Sequence, residues 1–282
     1  MATRQTVKDR KSAGHYQQWR LQTGTALGET DDSWVFCLAV NKDLFAIKKS
    51  NTETHSTEVH IFTRASNYQR FSPFISTALG ETDDSWVFCL AANRDLFAIK
   101  KSNTDTHTTE VHILTAASNY QQFKVRIGTA LGETDASWVF CLGGIGMRDL
   151  FAIHKSGTET HTTEVHVLSA ASNYQEFSLH TGTALGETDA IFDFCLSQNG
   201  DLFAIQKSGT DTHSTELHIM AGDTQYQQWR LQTGTALGET DAIFVFCLAS
   251  YSGSATYGDL FAIQKSGTDT RSTELHILAA EV

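Results

Sequence analysis

The sequence predicts an all-β protein, a closed five-bladed β-propeller with four antiparallel strands in each blade. Three observations predict it. One unit of about 52 residues occurs five times in tandem. Each copy carries four short strand signals. The chain also opens with the piece that its last copy lacks.

The repeat is read directly from recurring strings. TALGETD begins at Thr25, Thr77, Thr129, Thr183 and Thr235, and DLFAI at Asp43, Asp95, Asp149, Asp201 and Asp259. TEVH or TELH begins at Thr57, Thr109, Thr163, Thr215 and Thr273. A fixed period of this length is the signature of solenoids and propellers.

In the first unit, strand A is predicted over SWVFCLA (Ser33 to Ala39) and strand B over DLFAIKKS (Asp43 to Ser50). Strand C is predicted over TEVHIFT (Thr57 to Thr63) and strand D over YQRFSPFI (Tyr68 to Ile75). Val, Ile, Phe, Trp and Thr dominate these stretches, as they do on pleated surfaces. No apolar stripe of helical period exceeds a turn, so helix should be nearly absent. Strand A alternates Trp34, Phe36 and Leu38 with Val35 and Cys37, apolar on both faces, as a sheet between two sheets requires. Strand D is the most polar and reads as an outer edge. The link from D to the next A, through TGTALGETDD, is the longest.

The last unit stops at TELHILAAEV, after its strand C. The chain opens with HYQQWRLQTG, which matches TQYQQWRLQTG around Tyr226. Tyr16 to Gln22 therefore reads as the strand D of blade 5, lying alongside Thr273 to Leu278. One domain follows: a tail over 1–11, a closing strand over 12–22, and blades over about 23–75, 76–127, 128–181, 182–233 and 234–282.

The 282 residues are 40% hydrophobic, with a formal net charge of −11. That balance argues against nucleic acid, which needs clustered cations, and against anionic membrane surfaces. No stretch is long and apolar enough for a membrane helix. The opening MATRQTVKDRKSAG lacks an apolar core, so a cytoplasmic protein, or one released without a signal peptide, is expected. Cys37, Cys89, Cys141, Cys195 and Cys247 recur once per unit, a poor disulfide framework that reads as reduced, packed thiols.

Comparing the five copies separates variable from kept positions. The A–B loop varies most: VNK, ANR, GIGMR, SQNG and ASYSGSATYG. The D–A and B–C loops hardly vary, and strand alternation puts both on one face of the ring. Candidate ligand-binding residues are drawn from that face. They are the acids Glu29, Glu81, Glu133, Glu187 and Glu239 with Asp31, Asp83, Asp135, Asp189 and Asp241. The cations Lys49, Lys101, Lys155, Lys207 and Lys265 join them, with His55, His107, His161 and His213, replaced by Arg271 in the last copy. Trp34, Trp86, Trp138, Phe192 and Phe244 start strand A beside this face and offer a stacking surface. Thr, Asp and Glu in such loops serve equally to cap turns, and the strand-A aromatics serve equally as core. The mid-strand histidines His60, His112, His166, His218 and His276 read as hydrogen-bonded groups between blades, and no metal site is expected from them.

The run DLFAIKKSNT, STEVH, ASNYQ and TGTAL followed by ETD resembles tandem repeats of bacterial and fungal propeller proteins of the FG-GAP/VCBS type. In many such relatives the A–B loop holds calcium. Here VNK, ANR or SQNG leaves too few oxygen ligands before Asp43 and its counterparts, so no calcium is expected. The architecture is also similar to five-bladed propeller lectins of the tachylectin type, a likeness of fold and symmetry only.

A non-catalytic, multivalent carbohydrate-binding protein is expected, without a cofactor or metal, its partners being glycans, amino sugars among them. A protein-binding scaffold is the alternative. A glycoside hydrolase fits less well, because it needs one unique pair of acids and five near-identical copies offer none.

Overall fold

The computed structural model describes residues 15–143, 148–250 and 257–280, which form twenty strands and four short 3₁₀ turns. Blade 1 comprises β2 (Trp34–Leu38), β3 (Leu44–Lys48), β4 (Ser56–Phe62) and β5 (Ile75–Gly80). Blade 2 comprises β6 (Trp86–Leu90), β7 (Leu96–Lys100), β8 (Thr108–Leu114) and β9 (Phe123–Gly132). Blade 3 comprises β10 (Trp138–Leu142), β11 (Leu150–His154), β12 (Thr162–Leu168) and β13 (Phe177–Gly186), and blade 4 comprises β14 (Phe192–Leu196), β15 (Leu202–Gln206), β16 (Ser214–Met220) and β17 (Trp229–Gly238). Blade 5 joins β18 (Phe244–Leu248), β19 (Leu260–Gln264) and β20 (Ser272–Leu278) to β1 (Trp19–Gly28), in the order β1-β20-β19-β18. All pairs are antiparallel, with Trp19 opposite Leu278 and Gln22 opposite His276. The first strand thus completes the last sheet, as expected. Parts of the variable A–B loops of blades 3 and 5 (144–147 and 251–256), with the predicted tail over 1–11, lie outside the described residues.

Apolar alternation supplies both faces of each blade. Phe36, Leu44, Ala46 and Phe62 of blade 1 pack on Phe261, Ile263, Leu275 and Ile277 of blade 5. The opposite face of blade 1, with Phe45, Ile47 and Val59, packs on Phe88, Leu96, Ala98 and Leu114 of blade 2. Five such inter-blade cores run round the ring. Strand B is the most deeply buried, with Leu44, Phe45, Ala46 and Ile47 all nearly inaccessible.

Strand D lies further along the chain than its polarity suggests. Tyr68 sits in the corner between C and D, and β5 begins only at Ile75. In the other blades the residues TGTALG, or their equivalent, form the second half of the strand rather than a link. The link from D to A is consequently short, Glu29 to Ser33, and the C–D corner is the long one. The glycine misleads because it serves close approach, not a turn. A Cβ on Gly128 would sit 2.5 Å from Thr108 Oγ1, on the neighbouring strand. In blade 1, Pro73 removes a ladder donor and shortens β5 relative to its ten-residue sisters.

Neighbouring blades are riveted at these corners. The Tyr68 carbonyl oxygen accepts from Ala26 N (3.1 Å), and the same bond links Tyr120 to Ala78, Tyr174 to Ala130, Tyr226 to Ala184 and Tyr16 to Ala236. The kept aspartate before strand B caps the same corner: Asp43 Oδ1 accepts from Arg64 N (3.0 Å) and Asp95 Oδ1 from Ala116 N (3.1 Å). Among the described residues no helix is long and apolar enough to cross a membrane.

Candidate functional site in the grooves between blades

The kept loop residues divide among three places. On the loop face, Glu81 Oε1 accepts from Thr52 N (2.8 Å) and Thr52 Oγ1 (3.0 Å), which clasps the D–A loop to the B–C hairpin. Glu133, Glu187, Glu239 and Glu29 repeat the clasp with Thr104, Thr158, Thr210 and Thr268. These donors hold the carboxyls of Glu81, Glu133, Glu187 and Glu239 below the usual range. Asp31, Asp83 and Asp135 each accept from the backbone and hydroxyl of the serine two residues on, and Asp189 and Asp241 from Ile191 N and Ile243 N. His55, His107, His161, His213 and Arg271 are exposed, each with a positive φ of 55–56°.

The lysines point elsewhere, to the axis. Lys49 Nζ lies 2.6 Å from Asp84 and Lys265 Nζ 2.5 Å from Asp32, while Lys101 and Lys155 reach only the backbone oxygens of Asp135 and Asp189. Lys207 faces Asp193, which replaces the valine of the other innermost strands (3.6 Å). Protein surrounds the Asp193 carboxyl although it still touches solvent. Burial pushes it up, against the pull of Lys207 and Lys155. Burial also pulls the Lys101 and Lys155 ammonium groups down. Deeper in, the five free thiols follow one another round the ring, and Leu38, Leu90, Leu142, Leu196 and Leu248 line the far mouth.

The strand-A aromatics belong to a third place, a groove along the flank of each blade. Trp34 pairs with Lys48, and Lys48 with Glu58, so all three share one face. His60, two residues beyond Glu58, returns to that face. The Trp34 and His60 ring centroids are 5.0 Å apart, and Lys48 Nζ lies 5.7 Å above the Trp34 ring. Phe71 and Phe74 close the outer side, 6.3 and 5.7 Å from His60, and Ala26 and Leu27 of blade 5 form the opposite wall. The space is about 510 Å³, within the usual range for ligand pockets. Blade 2 holds a corresponding recess of about 300 Å³ beside Glu110, His112 and Arg126.

The groove floor is a repeated glutamate–histidine pair. Glu58 Oε1 is taken up by Thr54 N (3.1 Å) and Thr54 Oγ1 (2.9 Å), leaving Oε2 3.5 Å from His60 Nε2. The corresponding separations are 3.0 Å in blade 2, 3.3 Å in blade 3, and 3.6 Å in blades 4 and 5. Nε2 of His60, Nδ1 of His112 and both ring nitrogens of His276 are buried without a hydrogen-bond partner. Burial lowers the pKa of all five histidines, that of His166 to about 4, so they are neutral at pH 7. Burial pushes the Glu110 and Glu164 carboxyls up, but hydrogen bonds from Thr106, Thr160 and the paired histidines outweigh it. The histidines were expected to be satisfied between blades. They lie instead beside the glutamate of their own strand, and those of blades 1, 2 and 5 leave ring nitrogens open, whereas His218 is bonded to Gln206 and Gln232 of its own blade.

The five expected site positions therefore do not share one pocket. The strand-A aromatics reach the groove, the acidic loops and His55 lie beyond its rim, and the Lys49 series turns to the axis. Sequence reasoning missed Lys48, Phe71, Phe74 and the role of Glu58 with His60. The spacing E-x-H was the available signal, since alternation puts both residues on the face that carries Trp34.

No family model and no curated protein matches the chain. Among solved structures it is similar to a fungal alcohol oxidase of the AA5 family in complex with copper, with 8% identity, a TM-score of 0.39, and coverage of 94% of this chain and 76% of that one. It is also similar to a puromycin hydrolase, with 12% identity and a TM-score of 0.35. That match covers 87% of this chain and 34% of the hydrolase. At these identities the likeness concerns the fold alone.

Proposed function

We propose that the chain is a non-catalytic, multivalent lectin of the five-bladed propeller type, binding glycan ends in the grooves between its blades. The observation that carries this reading is the recurring groove floor, a glutamate oxygen and an imidazole beside an aromatic face, with a ring nitrogen left unsatisfied in blades 1, 2 and 5. A pyranose offers an apolar C–H face for Trp34 and vicinal hydroxyls that donate to Glu58 Oε2 and pair with His60 Nε2. The buried polar atoms, costly without partners, gain them from the sugar. The exposed loop residues at the rim, His55 and Glu81 among them, are the next contacts for a longer glycan. Its likeness to FG-GAP/VCBS-type repeats and to tachylectin-type lectins belongs to this same reading.

Single shallow sites bind weakly, and presentation of five on one ring raises avidity by about 10²–10⁴-fold on a surface bearing repeated ligand. A glycan array followed by calorimetry with a monosaccharide panel tests the proposal. Binding lost on Trp34→Ala in one groove, with the others retained, supports it. A folded protein that binds no glycan on the array overturns it, and a partner captured regardless of free sugar would favour a protein scaffold.

A further inference from the structure

Blade 3 departs from its sisters at two places in this groove. The last residue of strand B is Lys48, Lys100, Gln206 or Gln264 in the other blades and His154 here. The strand-D residue opposite the strand-C histidine is Arg126, Gln232 or Gln22 in blades 2, 4 and 5 and His180 here. Both replacements bring an imidazole to the Glu164–His166 pair that every blade possesses in some form.

The donors converge. One ligand atom from each of His154, Glu164 and His166 lies within 4.8 Å of the others. Glu164 Oε2 is 3.3 Å from His166 Nε2 and 3.6 Å from His180 Nε2. The His166 and His180 rings stack at 3.9 Å. Outer contacts fix the set: Thr160 N (3.1 Å) and Thr160 Oγ1 (2.9 Å) hold Glu164 Oε1, which turns Oε2 to the histidines. Trp138 stacks on the His154 ring at 4.1 Å and 7°. Such outer contacts are what orients ligands in metal sites.

We propose that His154, Glu164 and His166 form a divalent transition-metal site in blade 3, with His180 as the fourth donor on its exposed side. Imidazole nitrogens with one carboxylate suit Zn²⁺, Cu²⁺ or Ni²⁺ rather than Ca²⁺ or Mg²⁺. Metal–ligand bonds of about 2.0–2.1 Å put tetrahedral donors roughly 3.3 Å apart, so the cluster closes by side-chain rotation, for which His180, more than half exposed, has room. Four of the five blades lack this set, so one ion per chain is expected. The ion would take up the Glu164 and His166 atoms that a sugar would meet in the groove of blade 3, but the assignment does not rest on sugar binding.

Untagged protein, stripped with a chelator, is titrated at neutral pH with Zn²⁺ by calorimetry and with Co²⁺ by visible absorption, without any glycan present. One ion per chain is expected, with a Co²⁺ spectrum free of thiolate charge transfer. His154→Gln and His180→Gln install the residues that blades 4 and 5 carry at these places, so the fold is preserved. The double variant should lose at least about a hundredfold in Zn²⁺ affinity, and Thr160→Val about tenfold. Folded wild-type protein that takes up no stoichiometric metal, undiminished binding in the double variant, or a thiolate spectrum would each overturn the assignment.

Discussion

Cys247 Sγ donates to the carbonyl oxygen of Phe36 at 3.4 Å, across the seam where the last blade meets the first. The same bond runs from Cys37 to Phe88, Cys89 to Phe140, Cys141 to Phe194 and Cys195 to Phe246, at 3.3–3.5 Å. Five protonated thiols thus form a head-to-tail girdle round the channel, and the seam between chain ends is built like every other blade contact. Burial pushes the Cys37 and Cys141 thiols up to about 12, and the other three well above their ordinary value.

Two outcomes follow from that girdle. A disulfide reagent should find no reactive thiol in the native protein at pH 8 and five after unfolding. The pH effect has a definite sign. A thiol that titrates near 8.5 when unfolded and near 12 when folded contributes stability below pH 8.5, and that stability is lost as pH rises toward 12. Thermal melts between pH 8 and 11 should therefore fall steadily, and Cys37→Ala should flatten the fall.

The closing strand predicts a second result. Tyr16 is fully buried, its hydroxyl 3.1 Å from the Gly258 carbonyl oxygen and its ring edge-on to Phe203. Tyr16→Phe should cost only about 1 kcal/mol and Tyr16→Ala about 3–5 kcal/mol in chemical denaturation. Deleting residues 1–22 bares the outer edge of β20, and the product should associate through it. A monomeric truncation as stable as the full chain in size-exclusion and melting experiments would contradict the closure.

Two glycines of one strand give an internal control. A Cβ on Gly128 meets Thr108 Oγ1 at 2.5 Å and Thr106 Oγ1 at 2.8 Å, whereas a Cβ on Gly132 meets nothing within 4 Å. Gly128→Ala should destabilise by about 1–3 kcal/mol through overpacking. Gly132→Ala should stay within about 0.5 kcal/mol of wild type.

That contrast also explains what was legible in the sequence. The repeat, the blade number and the ring closure are written in strings that recur with fixed spacing, and the structure carries all three. Strand D was misplaced because TGTALG has the composition of a turn, while the reason for its glycine lies on the neighbouring strand. The groove was hidden for a related reason. Trp34, Lys48 and the Glu58–His60 pair are scattered over three sequence neighbourhoods, and only strand register gathers them. The clasp between Glu81 and Thr52 joins residues 29 positions apart in the chain, so neither loop alone reveals its partner.

Acid should weaken the protein through its groove histidines. Their folded pKa values lie below the unfolded value of about 6.5, so their contribution is present above pH 6.5 and is lost as pH falls toward about 4, where His166 titrates. Melting temperature should drop over that window. His112→Gln should reduce the drop, because glutamine keeps a donor toward Glu110 and carries no titrating proton. An unchanged pH profile in this variant would mean that other groups govern acid unfolding.

The aromatic at the head of each groove predicts two classes of sugar site. Blades 1 to 3 present Trp34, Trp86 and Trp138, whereas blades 4 and 5 present Phe192 and Phe244, whose rings lie 6.1 and 5.8 Å from their histidines against 5.0 Å for each tryptophan. An indole offers the larger face and a donor, and aromatic contacts of this kind contribute about 0.5–1.5 kcal/mol each. The tryptophan grooves should therefore bind a common monosaccharide about two- to tenfold more tightly than the phenylalanine grooves, giving a biphasic titration. Trp34→Phe should move one site from the tight class to the weak class. A single uniform class in calorimetry, unchanged by Trp34→Phe, would place the sugar away from the strand-A aromatics and return attention to the loop face around His55 and Glu81.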